Sequence, residues 1–127
     1  MSFTNAFETD LLEYALTTTA VTRPTAWYIG LFTADPTDTG SAATELSGSG
    51  YSRTAVTFSV SGNTASSSGA VEFDAATGSW GTISHIGIFD AASAGNMLIH
   101  AALTTSKTIN SGDVFRIPSG DLDITLD

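Results

Sequence analysis

One stretch constrains this chain more than any other: Ser79-Trp80-Gly81-Thr82-Ile83-Ser84-His85-Ile86-Gly87-Ile88-Phe89-Asp90. Large apolar and β-branched residues crowd it. Turn formers bound it, Thr77-Gly78 before and Asp90-Ala91-Ala92 after. A bounded run of this composition is a strand. Strict alternation sends Ile86 and Ile88 to one face and Ile83, His85, Gly87 and Phe89 to the other. Both faces then carry apolar groups, so the strand is predicted to be central in a sheet covered on both sides. Gly87 lacks a side chain, which predicts close packing against its backbone.

The remaining segments read as strands around this one. Ala26 to Thr33 alternates Trp27, Ile29 and Leu31 with Tyr28, Gly30 and Phe32, and ends at Ala34-Asp35-Pro36. Proline halts a ladder there, and Asp35 is placed to fold a turn by accepting nearby N–H groups. Residues 37 to 50 form a long polar loop, a length that in compact domains is usually functional or mobile. Tyr51 to Val60 is the next strand, with Val56, Phe58 and Val60 on its apolar side. Ala65 to Phe73 is a weak Ser-rich strand, Asn96 to Leu103 a strong one, and Lys107 to Ile109 a brief one. Val114 to Ile117 and Leu122 to Asp127 complete the set, the last with Leu122, Ile124 and Leu126 opposite Asp121, Asp123, Thr125 and Asp127. One helix precedes them, over residues 4 to 16, where Phe3, Phe7, Leu11, Tyr14 and Ala15 recur at helical spacing and Leu12 and Leu16 widen the stripe. Ser2 or Thr4 caps it and Arg23-Pro24 lies beyond its exit.

The predicted fold is mainly β: an antiparallel β-sandwich, jelly-roll-like, of seven or eight short strands with one N-terminal helix. Strand-helix-strand alternation is missing, which excludes a doubly wound sheet. The 127 residues suit one domain spanning 1 to 127, with residues 1 to 18 packed on it or on a neighbouring subunit.

Composition narrows function. The net charge is −9, from 13 acids against Arg23, Arg53, Lys107 and Arg116, and such a surface repels phosphate backbones, so nucleic acid is not an expected partner. A basic amphipathic helix and a spanning apolar run are both missing, so no membrane is expected. The start Met1-Ser2-Phe3-Thr4 lacks the pattern of a secretion signal. With no cysteine, disulfides and thiolate metal sites are out of reach. Charged residues make up only 13% of the chain, replaced by Ser, Thr, Gly and Ala, as in small β-rich domains held in larger assemblies.

Several constellations invite chemistry. Ser84, His85 and Asp90 have the residue types of a triad, but neighbours on a strand point to opposite faces, which argues against a Ser–His pair. His85 and His100 would meet across paired strands, though without a third metal ligand. Asp35, Asp38 and Glu45 make an acidic loop without calcium-loop spacing. Asp121, Asp123 and Asp127 read as a solvated face. Gly48 and Gly50 flank a serine with no lysine following, so there is no phosphate loop. Trp80 reads as a core or interface residue. No catalytic residue, cofactor or metal is therefore expected.

The pattern Tyr28-x-Gly30-Leu31-Phe32-Thr33-Ala34-Asp35-Pro36, then Glu45-x-Ser47-Gly48-x-Gly50-Tyr51-x-Arg53, then Trp80-Gly81-Thr82-Ile83-x-His85-x-Gly87-Ile88-Phe89-Asp90-Ala91, then Ala102-Leu103-Thr104 and Gly120-Asp121-Leu122, resembles small virion proteins of tailed bacteriophages, commonly labelled phage tail-fibre proteins. The resemblance covers nearly the whole chain. It implies a non-enzymatic structural part of the virion, made in the host cytoplasm. Size favours a capsid decoration or cement subunit on the outer surface, since no heptads or collagen repeat supply a shaft; the alternative is a tail-fibre or tail-tip component contacting the host receptor. Expected partners are other phage virion proteins, of capsid or tail, and further copies of the chain in a homo-oligomer, a trimer being compatible with a capsid threefold position. The residues expected at such an interface are Phe3, Phe7, Glu45, Leu46 and Tyr51.

Overall fold

In the computed structural model, which describes residues 1–127, the strand around Ile86 runs from Gly81 to Phe89 and sits in the middle of a five-stranded sheet. In chain order the elements are β1 (Ser2–Phe3), α1 (Asn5–Leu16), β2 (Trp27–Phe32), β3 (Thr54–Val56), β4 (Phe58–Ser61), β5 (Thr64–Ser67), β6 (Val71–Glu72), β7 (Gly81–Phe89), β8 (Met97–Ile109), β9 (Arg116–Ile117) and β10 (Asp123–Thr125). The main sheet has the order β1-β8-β7-β2-β3, with every pairing antiparallel. A three-stranded sheet, β10-β5-β4, and the short pair β6-β9 form the second layer. The protein is thus a mainly β sandwich with an N-terminal helix.

The main core lies between the layers. Ile29, Leu31, Val56, Ile83, Ile86 and Ile88 meet Val71, Phe73, Trp80, Phe115 and Leu122 there. The other face of the main sheet carries a smaller apolar group, Phe32, Phe89 and Met97, so β7 is covered on both sides as its composition predicts. Its alternation is broken, however. A register irregularity between Ile83 and His85 moves Ile83 onto the same face as Ile86 and Ile88, and a second falls between Ile88 and Phe89. Bulges shift side chains in this way. Gly30 and Gly87 are cross-strand partners. A Cβ on Gly87 would come within 3.0 Å of Phe32 and 3.1 Å of Met97, so the two glycines make the space these side chains fill.

Three strand boundaries differ from the sequence reading. Tyr51 to Val60 divides at Thr57 into β3 and β4, which belong to different sheets, so the chain crosses between layers there. Ala65 to Phe73 divides likewise, at Ser68-Gly69-Ala70. Conversely, Asn96 to Leu103 and Lys107 to Ile109 join as one strand, β8. The break expected between them persists as a bulge: Ala102 pairs with His85 and Lys107 with Ile83, which leaves Leu103, Thr104, Thr105 and Ser106 opposite Ser84 alone.

The helix begins as expected. Thr4 is its cap, extended at ψ 154°, with its hydroxyl accepting from the Phe7 N–H. Thr4 is itself buried and donates to the Met97 carbonyl at 2.8 Å, which ties the helix start to β8. The helix lies on the surface of the body, and none of its residues is fully buried.

Candidate functional site

The loop of residues 37 to 50 returns along the edge of β2 where β3 has ended. The Leu46 N–H donates to the Leu31 carbonyl at 3.0 Å, and Glu45 bridges Phe32. The Leu31 N–H finds no strand partner and donates instead to the Tyr51 hydroxyl at 3.0 Å. That hydroxyl donates in turn to Glu45 Oε1 at 2.8 Å. Burial first, and the Glu45 carboxylate second, push the Tyr51 phenol well above its usual pKa and outweigh the Leu31 N–H, so it stays a hydrogen-bond donor.

Glu45 also holds Arg53 in a two-point grip, Nε to Oε1 at 2.7 Å and Nη2 to Oε2 at 2.8 Å. Nη1 of Arg53 donates to the carbonyls of Ala91 (3.0 Å) and Ala94 (2.8 Å), pinning the β7-β8 connection. The guanidinium lies 3.4 Å from the centroid of the Phe89 ring. The two side chains are only 6% and 12% exposed. Charge-assisted two-point bonding of this kind is strong and directional. Four of the five N–H groups of the guanidinium are engaged within the chain. The arrangement is a clip that joins the long loop, the main sheet and the β7-β8 connection.

A second polar group lies at the opposite edge. His100, buried on β8, donates from Nε2 to Asp38 Oδ1 at 2.8 Å, and its Nδ1 is 3.5 Å from Asp35. Ser2 donates to the same Asp38 oxygen at 3.0 Å. These bonds, His100 first and Ser2 second, hold the Asp38 carboxyl below its usual pKa. Asp35 folds its turn as expected, accepting the Thr37 N–H at 2.8 Å. The loop acids are therefore divided: Asp35 and Asp38 serve His100, while Glu45 serves Arg53.

The triad reading requires a correction. Ser84 and His85 do not diverge: Ser84 Oγ is 2.8 Å from His85 Nδ1, because the bulge between Ile83 and His85 spoils the alternation that would separate them. The acid is what is missing. Asp90 bonds the N–H and side chain of Asn96 and closes a loop there. His85 and His100 do not face each other, since His85 pairs with Ala102 and His100 with Gly87.

The five expected interface residues all have partners within the chain. Phe3 and Phe7 pack on each other at 5.3 Å between centroids and against the core. Leu46 packs on the core, Tyr51 stacks on Phe73 and meets Trp80 edge-on, and Glu45 grips Arg53. Free apolar surface lies elsewhere, on the second half of α1. Leu12, Tyr14 and Leu16 are 60%, 78% and 77% exposed. Beside them Leu11, Tyr14, Val21 and Pro24 line an apolar groove. The sequence stripe contained these residues but could not tell which side of the helix the body would leave bare.

A protein-family model matches residues 2–125; its description is Podophage GP4 fiber I protein gp80. The chain belongs to this phage fibre family. No curated protein sequence matches it. Membership makes the protein a bacteriophage structural protein associated with the virion. It agrees with the sequence-level resemblance to phage tail-fibre proteins.

Proposed function

We propose that the chain is a non-enzymatic subunit of a phage fibre assembly, held in the virion by contact between folded surfaces. The family match over residues 2–125 is the observation that carries this reading. The surface supports it: the helix exposes Leu12 and Leu16, one turn apart on one face, and Tyr14 on another beside the Leu11–Pro24 groove. Exposed apolar surface of this sort suits contact with another protein. We place the attachment to another virion component there, with Phe7 on the groove wall, and not on Phe3, Glu45, Leu46 or Tyr51, whose side chains pack within the chain.

A decoration or cement subunit on the outer capsid is a second reading, favoured by shape. These residues fold as a short sandwich with a 12-residue helix and supply no shaft. Gold-labelled antibody on intact virions separates the two. Label on fibres supports the first reading, label spread over the capsid replaces it with the second, and unlabelled virions refute both. The attachment surface is tested by Leu12→Ser combined with Leu16→Ser, which should leave folding intact and remove the protein from virions.

A further inference from the structure

The bulge in β8 opens the main sheet. β1 covers β8 only at Ile99 and His100, so beyond His100 the outer edge of β8 has no strand beside it, and at Leu103 to Ser106 the register with β7 is broken as well. An open edge of this kind recruits an added strand unless something guards it. Beside it lies a groove with Lys107 and Arg116 on its walls and the exposed Val114 on its rim.

Those two residues are half of the four cations on a chain of net charge −9. Of the other two, Arg53 is consumed by Glu45, and Arg23 sits beside α1. Lys107 has no carboxylate within 4.0 Å, and Arg116 has only the exposed Glu72 at 3.6 Å. Asp121 shares the groove, so its charge is close to balanced, whereas the surface at large is acidic.

The complement is present on the same molecule. In β10, Leu122 and Leu126 make the hydrogen bonds that flank the ladder to β5, so the peptide groups of Asp123 and Thr125 turn away from it. Asp123 and Asp127 have no cation within 4.0 Å, and Leu126 is exposed. β10 thus has an open edge, unpaired acids and an uncovered leucine. The β8 groove has an open edge, an unpaired cation and an uncovered valine.

We propose that the groove beside the β8 bulge binds the β10 edge of a second copy of this chain, with Lys107 and Arg116 meeting Asp123 and Asp127. The contact joins different surfaces of the two copies, so it is head-to-tail and builds a ring or a row. It deepens the fibre-subunit reading and rests on it for its purpose, though not for its geometry.

Sedimentation velocity on the purified full chain, at concentrations up to about 1 mM to reach weak specific contacts, tests it. Wild type should self-associate, and K107E/R116E and D123K/D127K should each weaken association by about tenfold or more. Mixing the two variants restores complementary charge in both directions, the unchanged groove of the second with the unchanged β10 of the first and the two reversed surfaces with each other, so the mixture should associate again. Circular dichroism confirms that both variants fold. A wild type that stays monomeric, variants that associate as wild type does, or a mixture that does not recover would each overturn the proposal. Fibre attachment is scored separately: K107E/R116E still found on virions as single copies supports both readings, while a protein missing from wild-type virions refutes the fibre reading and leaves the contact to be judged in solution.

Discussion

Replacing Arg53 by alanine is the most informative single perturbation of this fold. It deletes two bonds to Glu45, two to the carbonyls of Ala91 and Ala94, and the contact with the Phe89 ring. What remains is a Glu45 carboxylate with a side chain 12% exposed and the Tyr51 hydroxyl as its one partner. Stranding a buried charge in this way costs about 3–5 kcal/mol. For a chain of 127 residues that is a fall in Tm of roughly 10–20 °C. Urea unfolding followed by Trp80 fluorescence gives the free energy, because Trp80 is buried in the core that Tyr51 joins. The double variant Arg53→Met with Glu45→Leu removes both charges and should cost less than Arg53→Ala alone, since a buried pair replaced by apolar groups is often close to neutral. A loss under about 1 kcal/mol for Arg53→Ala, or a double variant that costs the sum of its two single changes, would refute the clip.

Trp80→Ala should destabilise by about 3–5 kcal/mol in urea unfolding followed by circular dichroism, through the cavity it leaves and the loss of its 2.8 Å bond to the Ser49 carbonyl. Gly87→Ala should cost about 1–3 kcal/mol, because the added methyl lies 3.0–3.2 Å from Phe32, Met97 and Phe89 in a closed space. Tyr51→Phe should cost about 1–3 kcal/mol by orphaning the Leu31 N–H, with the overall fold unchanged by circular dichroism. Asp38 is held below its usual pKa, so it stabilises the folded state above the ordinary carboxylate range and loses that contribution as pH falls through its folded pKa. The urea midpoints of wild type and Asp38→Asn should therefore differ near neutral pH and converge in acid; a gap independent of pH would contradict the His100–Asp38 bond.

The parts of the fold readable in the sequence were those set by local chemistry. Ile83 to Phe89 is apolar on both sides and became the covered central strand; Gly87 marked a close approach; Asp35 marked its turn. What escaped depended on partners distant in the chain. Thr57 looks like an ordinary strand residue, and only the pairing of Val56 with Trp27 and of Phe58 with Ser67 reveals that the chain changes layer there. Ser84 and His85 meet because of a bulge that no composition signals. The clip was half visible. Glu45, Tyr51 and Arg53 stood together in the motif that carries the family resemblance, but a glutamate and a tyrosine in a polar loop look like surface until Arg53 and Leu31 are brought beside them. The helix stripe was real in the sequence, yet most of it faces outward.

The central claim is that this folded module is a physical part of a phage fibre. A residue-resolution map of the intact virion tests it most directly. The account predicts density for the five-stranded sheet and its second layer within a fibre, with Leu12 and Leu16 of the helix covered by another protein. Virions whose fibres lack such density, whether or not the shell carries it, would contradict it.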